Sequence, residues 1–321
     1  MAKASREIEN EIRALLPPNA RVLCAVSGGL DSVVMLDAIH EQAKLLKLHI
    51  EIAHVDHSLR AESKEDAEFV SALAAKLKLT FHHFVADPPP ENQNIEAWGR
   101  ELRYSFFGQV REQRNLDWIL TAHQANDRVE TMLMRLLSNK EPRSIEQIDH
   151  SRCLIRPLLA ISREQIQLYA QSRSLHWRED ATNQDTNFLR NRVRALLIPY
   201  IQTHFESSSL ASLAEHAESY AEDSQALWAH AGACLQRLSP VQWSDRQWFK
   251  ALRELLHQVP LAVAWRAVSL MLQAELGFLL GRSSSKRCLR FILGADEGIE
   301  LPSGLRLCRR NGAIEIVKPI S

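Results

Sequence analysis

The first half of the chain alternates between two patterns of hydrophobic and polar positions. Short apolar runs, typical of buried strands, lie at Arg21–Val26, Leu48–Val55, Leu79–Ala86, Leu116–Ala122 and Cys153–Leu159. Amphipathic stretches of helix length separate them, at Ser32–Leu46, Ser63–Leu77, Ile95–Arg111 and Asp127–Leu137. This alternation predicts an α/β fold with a doubly wound, mostly parallel sheet. Such sheets bind ligands at the carboxyl ends of their strands, so the loops at those ends are the candidates for function.

The pattern changes beyond about Pro199. Further helices are predicted from a capping box at Ser162–Gln165 and over Ser207–Trp228 and Trp248–Leu280, and strands are predicted within Ile299–Ile316. Pro260 should split the last of these helical stretches in two. Since 321 residues are many for one compact domain, we expect two. Residues 1–210 would form the catalytic domain, and residues 211–321 a smaller helical domain with a few strands.

Composition and charge exclude several classes of protein. The chain is 45% apolar and 24% charged, and its Lys+Arg and Asp+Glu counts are both 39. The net charge therefore does not indicate a nucleic-acid partner. The five cysteines include no C-x-x-C pair, so neither a disulfide framework nor a zinc or iron–sulfur site is predicted. With a polar N-terminus and charged residues inside its most apolar stretch, we expect a cytoplasmic protein without a membrane span.

The loop after the first predicted strand carries the clearest chemistry. Its residues are Ser27, Gly28, Gly29, Leu30, Asp31 and Ser32. Two glycines let the backbone approach phosphate oxygens, and the N–H groups at the start of the following helix attract an anion. Asp31 cannot attract phosphate directly, so we expect it to hold the Mg²⁺ that neutralises the phosphates. The loop predicts ATP binding. The motifs of Walker-type NTPases and dinucleotide dehydrogenases do not occur in the sequence.

This loop resembles the pyrophosphate loop of the N-type ATP pyrophosphatases. The resemblance implies that the protein adenylates a carbonyl or carboxyl oxygen, releases pyrophosphate, and lets a nucleophile displace AMP.

Four further stretches resemble one family among these enzymes. They are His54–Arg60, Glu96–Tyr104, Ala122–Thr131, and Arg156–Leu159 together with the segment from Trp177 to Arg194. Their identity, order and spacing are similar to those of the tRNA(Ile)-lysidine synthetase family. The resemblance covers roughly residues 20–200 and continues more weakly to the C-terminus, where Glu300–Arg306 is similar to the family's tRNA-binding module.

The resemblance implies a reaction and its partners. ATP would adenylate the C2 oxygen of the first anticodon cytidine of a tRNA(Ile) with a CAU anticodon. Free L-lysine would then attack C2 through its ε-amine and expel AMP, which changes the tRNA from methionine to isoleucine identity. ATP and Mg²⁺ would be the cofactors. The sequence leaves the oligomeric state open, a homodimer included.

The predicted catalytic residues are Asp31, Asp127, Glu130 and Arg100. Asp127 and Glu130 are three residues apart on one helix, so both carboxylates can meet one ligand. With His123 they are the candidates for binding lysine or the cytidine, or for holding a metal. The alternative is a pair of solvated carboxylates.

The remaining candidates are predicted to contact nucleotide or RNA. His54 ends the second predicted strand and is assigned to the nucleotide pocket rather than to a metal site. Arg100 could contact phosphates, with a structural salt bridge as the alternative. Arg190, Arg192 and Arg194 could bind the tRNA backbone, with a solvated or paired basic face as the alternative.

The sequence also departs from the family pattern. Asn126-Asp127 stands where the family usually has two acidic residues, Arg128 replaces a common glutamine, and Ser138–Ser144 lacks the usual glycines. Two other functions therefore stay open. One is a different RNA modification by an ATP pyrophosphatase, and the other is a non-catalytic protein that binds nucleotide or tRNA.

Overall fold

The computed structural model describes residues 2–58, 63–90, 95–138, 145–178, 189–206, 208–238, 240–294, 298–301, 304–310 and 313–317. The described residues group into two compact units. One comprises residues within Met1–Thr131 and Ile145–Ala214, and the other comprises residues within Met132–Ser144 and Glu215–Ser321. The grouping changes after Ala214, close to the predicted boundary after residue 210, and the domain limits themselves stay a prediction.

The first unit is built on a six-stranded sheet with the order β3-β2-β1-β4-β6-β5. Its strands are β1 (Arg21–Ala25), β2 (His49–Asp56), β3 (Thr80–Val85), β4 (Trp118–Leu120), β5 (Ile148–Asp149) and β6 (Leu154–Ile155). Its helices include α1 (Ala2–Leu15), α2 (Leu30–Leu46), α3 (Ser63–Leu77), α4 (Ile95–Gln113), the first part of α5 (Ala125–Leu137), α6 (Arg163–Ser172), α7 (Leu189–Arg192) and α8 (Ile198–His204). All strand pairs are parallel except β5 with β6. The predicted doubly wound, mostly parallel sheet is confirmed.

Both faces of this sheet are covered, as parallel sheets require. Val22 and Cys24 of β1 face one core, together with apolar residues of α1, α2, α3 and α6. Leu23, between them, faces a second core with Phe107 and Val110 of α4. Successive side chains of a strand point to opposite faces, so a strand buried on both sides is apolar throughout. This explains the continuous apolar runs in the sequence.

Helix α1 was not predicted from the sequence, and the strand predicted at Cys153–Leu159 is shorter than expected. Helix α1 has a polar composition, but Ile8 and Ile12 are four residues apart and both fully buried. The run at 153–159 forms a strand only at Leu154–Ile155, because the chain turns away at Arg156 and Pro157. Proline cannot donate the next hydrogen bond of a sheet.

The second unit is mainly helical. It contains the greater part of α9 (Ser209–Gln236), together with α10 (Arg246–Gln258), α11 (Leu261–Leu276), α12 (Arg282–Leu293) and the antiparallel sheet of β7 (Gly298–Glu300), β8 (Arg306–Arg310) and β9 (Ala313–Val317). Pro260 is the N-cap of α11, which confirms the predicted split. Helix α12 was missed because its serines and basic residues conceal a buried face that includes Cys288, Phe291 and Ile292. Among the described helices, no segment has the length and hydropathy needed to span a lipid bilayer.

A buried carboxylate near the start of β2 joins three elements of the first unit. The Glu51 side chain is fully buried and accepts hydrogen bonds from Arg114, which follows α4. It also bonds to His49 Nε2 at 2.9 Å and to His82 Nε2 of β3 at 2.5 Å. Burial alone would raise the pKa of Glu51, but the bonds from Arg114, His49 and His82 outweigh it and lower the pKa to about 2.

We predict that Glu51→Gln lowers the free energy of unfolding at pH 7 by about 2–3 kcal/mol, because the buried side chain loses the charged oxygens that bond to Arg114, His49 and His82. Since the folded-state pKa is depressed, the contribution of the carboxylate is present above pH 5 and is lost as pH falls towards 2. Urea unfolding at pH 7 and at pH 3 measures both effects. Glu41→Gln, which breaks an exposed ion pair with Arg173, is the control and should cost under about 1 kcal/mol. Equal losses in the two variants would contradict the role given to Glu51.

Candidate active site

The loop between β1 and α2 has the backbone conformation of an anion-binding turn. Gly28 has φ +92°, in the left-handed region that side chains disfavour. Gly29 is the N-cap of α2 and supplies no side chain to cap the first N–H groups of that helix. The Ser32 hydroxyl donates to the Gly29 carbonyl at 2.8 Å and accepts from the Ser27 N–H at 3.2 Å. The serines thus hold the turn in shape, and the start of α2 is left to interact with a ligand.

Asp31, in the first turn of α2, has an unusual environment. Its Oδ1 atom is buried and makes no hydrogen bond within the described residues, and Arg163 Nη1 lies 3.6 Å away. The pKa of Asp31 is raised to about 6, mainly by burial. Arg163 and Arg194 lower it, whereas Asp127 and Glu130 raise it. Asp31 Oδ1 therefore lacks a hydrogen-bond partner among the described residues, and its ion pair with Arg163 does not offset the effect of burial.

A magnesium ion fits this environment. Mg²⁺ in phosphate-transfer sites takes one or two protein carboxylates together with phosphate oxygens, so a single unsatisfied carboxylate oxygen beside a phosphate loop is a suitable ligand. Asp31 Oδ1 is such an atom. The other two acidic side chains near it, Asp127 and Glu130, are already engaged by arginines. The magnesium assignment stays a prediction.

Residues of three other segments stabilise the backbone of the loop through hydrogen bonds and ion pairs. The Arg178 N–H donates to the Gly28 carbonyl at 3.0 Å, and its guanidinium pairs with Asp66 and Glu65 at the start of α3. His54 Nδ1 bonds to the Val26 carbonyl at 2.8 Å, just before the loop. Burial lowers the pKa of His54, which keeps the ring neutral. Arg178 belongs to a stretch that carried the family resemblance, but no role was predicted for it.

Asp127 and Glu130 are buried and paired with arginines from α7 and the π-helical segment that follows it. Arg190 Nη2 donates to Asp127 Oδ1 at 2.7 Å, and its Nε donates to Glu130 Oε2 at 3.0 Å. Arg194 Nε donates to Glu130 Oε1 at 2.7 Å, and its Nη2 contacts both carboxylates. Asp127 Oδ2 also accepts the Gln124 N–H at 2.8 Å. These four charged residues, here called the Asp–Glu–Arg–Arg cluster, sum to zero charge.

The cluster brings together residues for which the sequence predicted different roles. Asp127 and Glu130 are 9% and 1% exposed, so they are not a solvated pair. Arg190 and Arg194 were predicted to contact tRNA, whereas in the structure their guanidinium groups contact the carboxylates. Arg192 is exposed. The predicted ligand roles of all five residues stay predictions.

His123 lies in the loop between β4 and α5, and its imidazole ring is neutral. Burial lowers the pKa of His123 well below its usual value, and nearby Arg156, Arg190 and Arg100 lower it further. Its Nδ1 atom bonds to the Thr121 hydroxyl at 3.0 Å. A neutral imidazole among guanidinium groups can donate or accept a hydrogen bond but does not compete for anions.

Arg100 lies on α4 with its side chain exposed. Its guanidinium lies 5.0 Å from the ring centre of Tyr104, and that of Arg152 lies 5.2 Å from the same ring. The predicted phosphate contact of Arg100 is not tested by this geometry. The glycine-free segment 139–144, residues 59–60, and residues 179–188 of the family-like stretch lie outside the described residues.

Comparison with known proteins shows the family to which the chain belongs. A family model described as the PP-loop domain matches residues 2–201. The tRNA(Ile)-lysidine synthase of Thermosynechococcus vestitus is 33% identical over 315 residues, which cover 95% of this chain and 88% of that protein. The corresponding protein of Nostoc sp. is 32% identical over 286 residues, covering 83% and 82%. The chain belongs to the tRNA(Ile)-lysidine synthase family of PP-loop proteins.

The comparisons also include a longer relative and a solved structure with the same fold. The tRNA(Ile)-lysidine synthase of Thermus thermophilus is 34% identical over 311 residues, and the match covers 95% of this chain but only 58% of that longer protein. Among solved structures, a U34-tRNA thiolase of Methanococcus maripaludis superposes with a TM-score of 0.59 at 16% identity, over 69% of this chain and 78% of that chain. This second likeness shows a shared fold.

We predict that Gly28→Ala lowers ATP affinity at least tenfold, because a Cβ disfavours the left-handed turn that shapes the loop. Its Cβ would lie 3.5 Å from Phe69 and Val70, an ordinary contact, so backbone strain of about 1–2 kcal/mol is the cause. Gly277→Ala is a matched control, since Gly277 has φ +75° at the end of α11 and open space around it. Both variants should lose similar stability, and only Gly28→Ala should lose ATP binding in a calorimetric titration. Unchanged ATP affinity in Gly28→Ala would contradict the assigned loop.

Proposed function

We propose that this protein joins lysine to C2 of the first anticodon cytidine of a tRNA(Ile) with a CAU anticodon, using ATP. The observation that carries the proposal is that a phosphate-binding loop and two buried carboxylates lie at the same edge of the sheet. Asp31 and the uncapped start of α2 suit a nucleoside triphosphate, and the buried carboxylates of Asp127 and Glu130 lie close enough to affect the pKa of Asp31. Membership in the lysidine synthase family supports the same conclusion.

In the proposed reaction the loop binds the phosphates of ATP. The N–H groups at the start of α2 face the β- and γ-phosphates, and the positive end of the helix dipole favours their charge. Magnesium, held by Asp31, would neutralise the phosphates and polarise the bond that breaks. The cytidine C2 oxygen then attacks the α-phosphorus, and pyrophosphate leaves.

The second step needs a lysine side chain close to the adenylated base. Asp127 and Glu130 supply two buried carboxylates that can bind an ammonium or the α-amino group of lysine. In the structure Arg190 and Arg194 occupy these carboxylates, so lysine binding there exchanges one cation for another. The exchange leaves the charge of the cluster unchanged, and it avoids leaving a buried carboxylate unpaired.

His123 and the arginines around it have the chemistry to bind the cytosine base and the phosphates of the RNA. A neutral imidazole can donate to, or accept from, the edge of a cytosine, whereas nearby Arg100 can bind phosphate oxygens. The exposed Arg192 remains a candidate for contact with the RNA backbone.

A thiolating enzyme with the same fold is less well supported. The two cysteines of the first unit are Cys24, which is fully buried in β1, and Cys153. Burial raises the pKa of Cys24 to about 12, so this thiol is protonated and unreactive at neutral pH.

We predict that the protein releases pyrophosphate from ATP in amounts that depend on both free lysine and a tRNA with a CAU anticodon. A tRNA with another anticodon and a sample without lysine are the matched controls. Asp31→Asn should fold normally and lose at least 100-fold in rate, because the phosphates lose their anchored cation. Repeated turnover of ATP without lysine or without the CAU tRNA, or near-normal release by folded Asp31→Asn, would contradict the proposal; a single pyrophosphate per tRNA without lysine is the adenylation step itself.

We further predict that Glu130→Gln raises the KM for lysine at least tenfold while the KM for ATP changes less than twofold. The amide keeps the shape of the side chain but removes the charge that would bind an ammonium. Glu164→Gln, an exposed change at the start of α6, is the control for a lost carboxylate. Steady-state kinetics with lysine and ATP varied separately measures the split. An unchanged lysine KM in a folded Glu130→Gln variant would contradict this assignment.

A further inference from the structure

The first turn of α6 presents an arginine to the phosphate loop. Helix α6 begins after Ser162, and a full capping box with Gln165 fixes that start. Arg163 follows immediately, and its Nη1 lies 3.6 Å from Asp31 Oδ1. This distance is an ion pair but too long for a hydrogen bond. The Arg163 side chain is 49% exposed, so its guanidinium can contact a ligand in front of the loop.

The position of Arg163 is unfavourable for helix stability. The N-terminal turn of a helix carries partial positive charge and favours acidic residues. A guanidinium there is repelled by the helix dipole, and its one ion pair within the described residues is the long contact to Asp31. The neighbouring Glu164 has the charge that the dipole favours. The placement of Arg163 is therefore not explained by the stability of α6.

Helix α6 is firmly held beside α2. Tyr169 donates its hydroxyl hydrogen to Asp37 Oδ2 of α2 at 3.0 Å, and Arg173 pairs with Asp37 at 3.2 Å and with Glu41 at 2.6 Å. Ile166 and Tyr169 are buried in the core that also receives α1 and α2. The first turns of α2 and α6 thus lie together, as the contact between Asp31 and Arg163 shows. The backbone position of Arg163 is therefore set by the packing of a helix rather than by a loop.

We propose that Arg163 binds the β- and γ-phosphates of ATP and holds the pyrophosphate that they become. The inference rests on the proposed function, since it assigns the leaving group of that reaction to a residue of this chain. During adenylation the substrate oxygen bonds to the α-phosphorus while the bond from the α-phosphorus to the α,β-bridging oxygen breaks. Pyrophosphate leaves with that electron pair, and negative charge grows on the bridging oxygen. A guanidinium placed there stabilises the departing group.

Arg163 completes a set of complementary charges around the phosphates. Asp31 is suited to a cation, and the uncapped start of α2 is suited to an anion. A ligand that carries both, such as a magnesium–pyrophosphate complex, would relieve the lone Asp31 oxygen and give Arg163 the hydrogen bonds that it lacks to Asp31. The long distance of 3.6 Å leaves room for such an exchange.

The test measures the binding of magnesium pyrophosphate itself, without tRNA or lysine. Calorimetric titration should give a dissociation constant 10–100 times weaker for Arg163→Ala than for the unmodified protein, as expected for loss of a charged hydrogen-bonding group. Arg163→Lys should recover part of the loss because it restores charge without the bidentate geometry. Glu164→Ala, a change in the same helical turn, should bind as the unmodified protein does. Melting temperatures confirm that each variant folds.

Kinetics separates a phosphate-binding role from a structural one. Arg163→Ala should lower kcat for adenylation and weaken product inhibition by pyrophosphate, while the KM for lysine stays within twofold. Pyrophosphate binding that is equal in folded Arg163→Ala and in the unmodified protein would overturn the inference. A protein that binds magnesium pyrophosphate through Arg163 but forms no lysidine would leave this inference standing and overturn the proposed function instead.

Discussion

The architecture of the site depends on the turn that takes β1 into α2. A left-handed residue at Gly28 redirects the chain so that α2 begins at the carboxyl edge of the sheet without a side-chain cap. Unpaired backbone N–H groups are unfavourable when they lack a partner, and here they face the place where a ligand would lie. The surrounding contacts maintain this arrangement. Arg178 holds the Gly28 carbonyl, and His54 holds the carbonyl of Val26.

Charge balance is the second constraint, and it connects distant parts of the sequence. Two carboxylates buried on α5 would be unstable alone, so Arg190 and Arg194 from a segment about 60 residues later must approach them. Asp31 differs from them, because within the described residues its Oδ1 atom makes no hydrogen bond and has only a 3.6 Å ion-pair contact with Arg163. The unbonded Oδ1 atom supports the proposal that Asp31 binds a cation.

Sequence reasoning recovered the elements whose patterns are local. The strand–helix alternation, the loop at residues 27–32, the capping box at Ser162 and the break at Pro260 all depend on neighbouring residues, and the structure confirms them. The Asp–Glu–Arg–Arg cluster could not be predicted in the same way, because strands β5 and β6, helix α6 and their loops separate its halves. Each half by itself looked like a basic or an acidic helix face. Arg163 was overlooked for a similar reason, since its contact with Asp31 exists only after α6 packs against α2.

We propose that this site activates the C2 oxygen of a cytidine by transferring AMP to it. The most direct measurement uses a tRNA(Ile) with a CAU anticodon whose first anticodon cytidine carries ¹⁸O at C2, incubated with the protein, ATP, Mg²⁺ and lysine. When lysine expels AMP, the C2 oxygen must leave with the phosphate. Mass spectrometry should therefore find one ¹⁸O atom in each AMP and lysidine without label in the RNA. Unlabelled AMP, with ¹⁸O retained in the tRNA, would show that AMP is not transferred to the C2 oxygen.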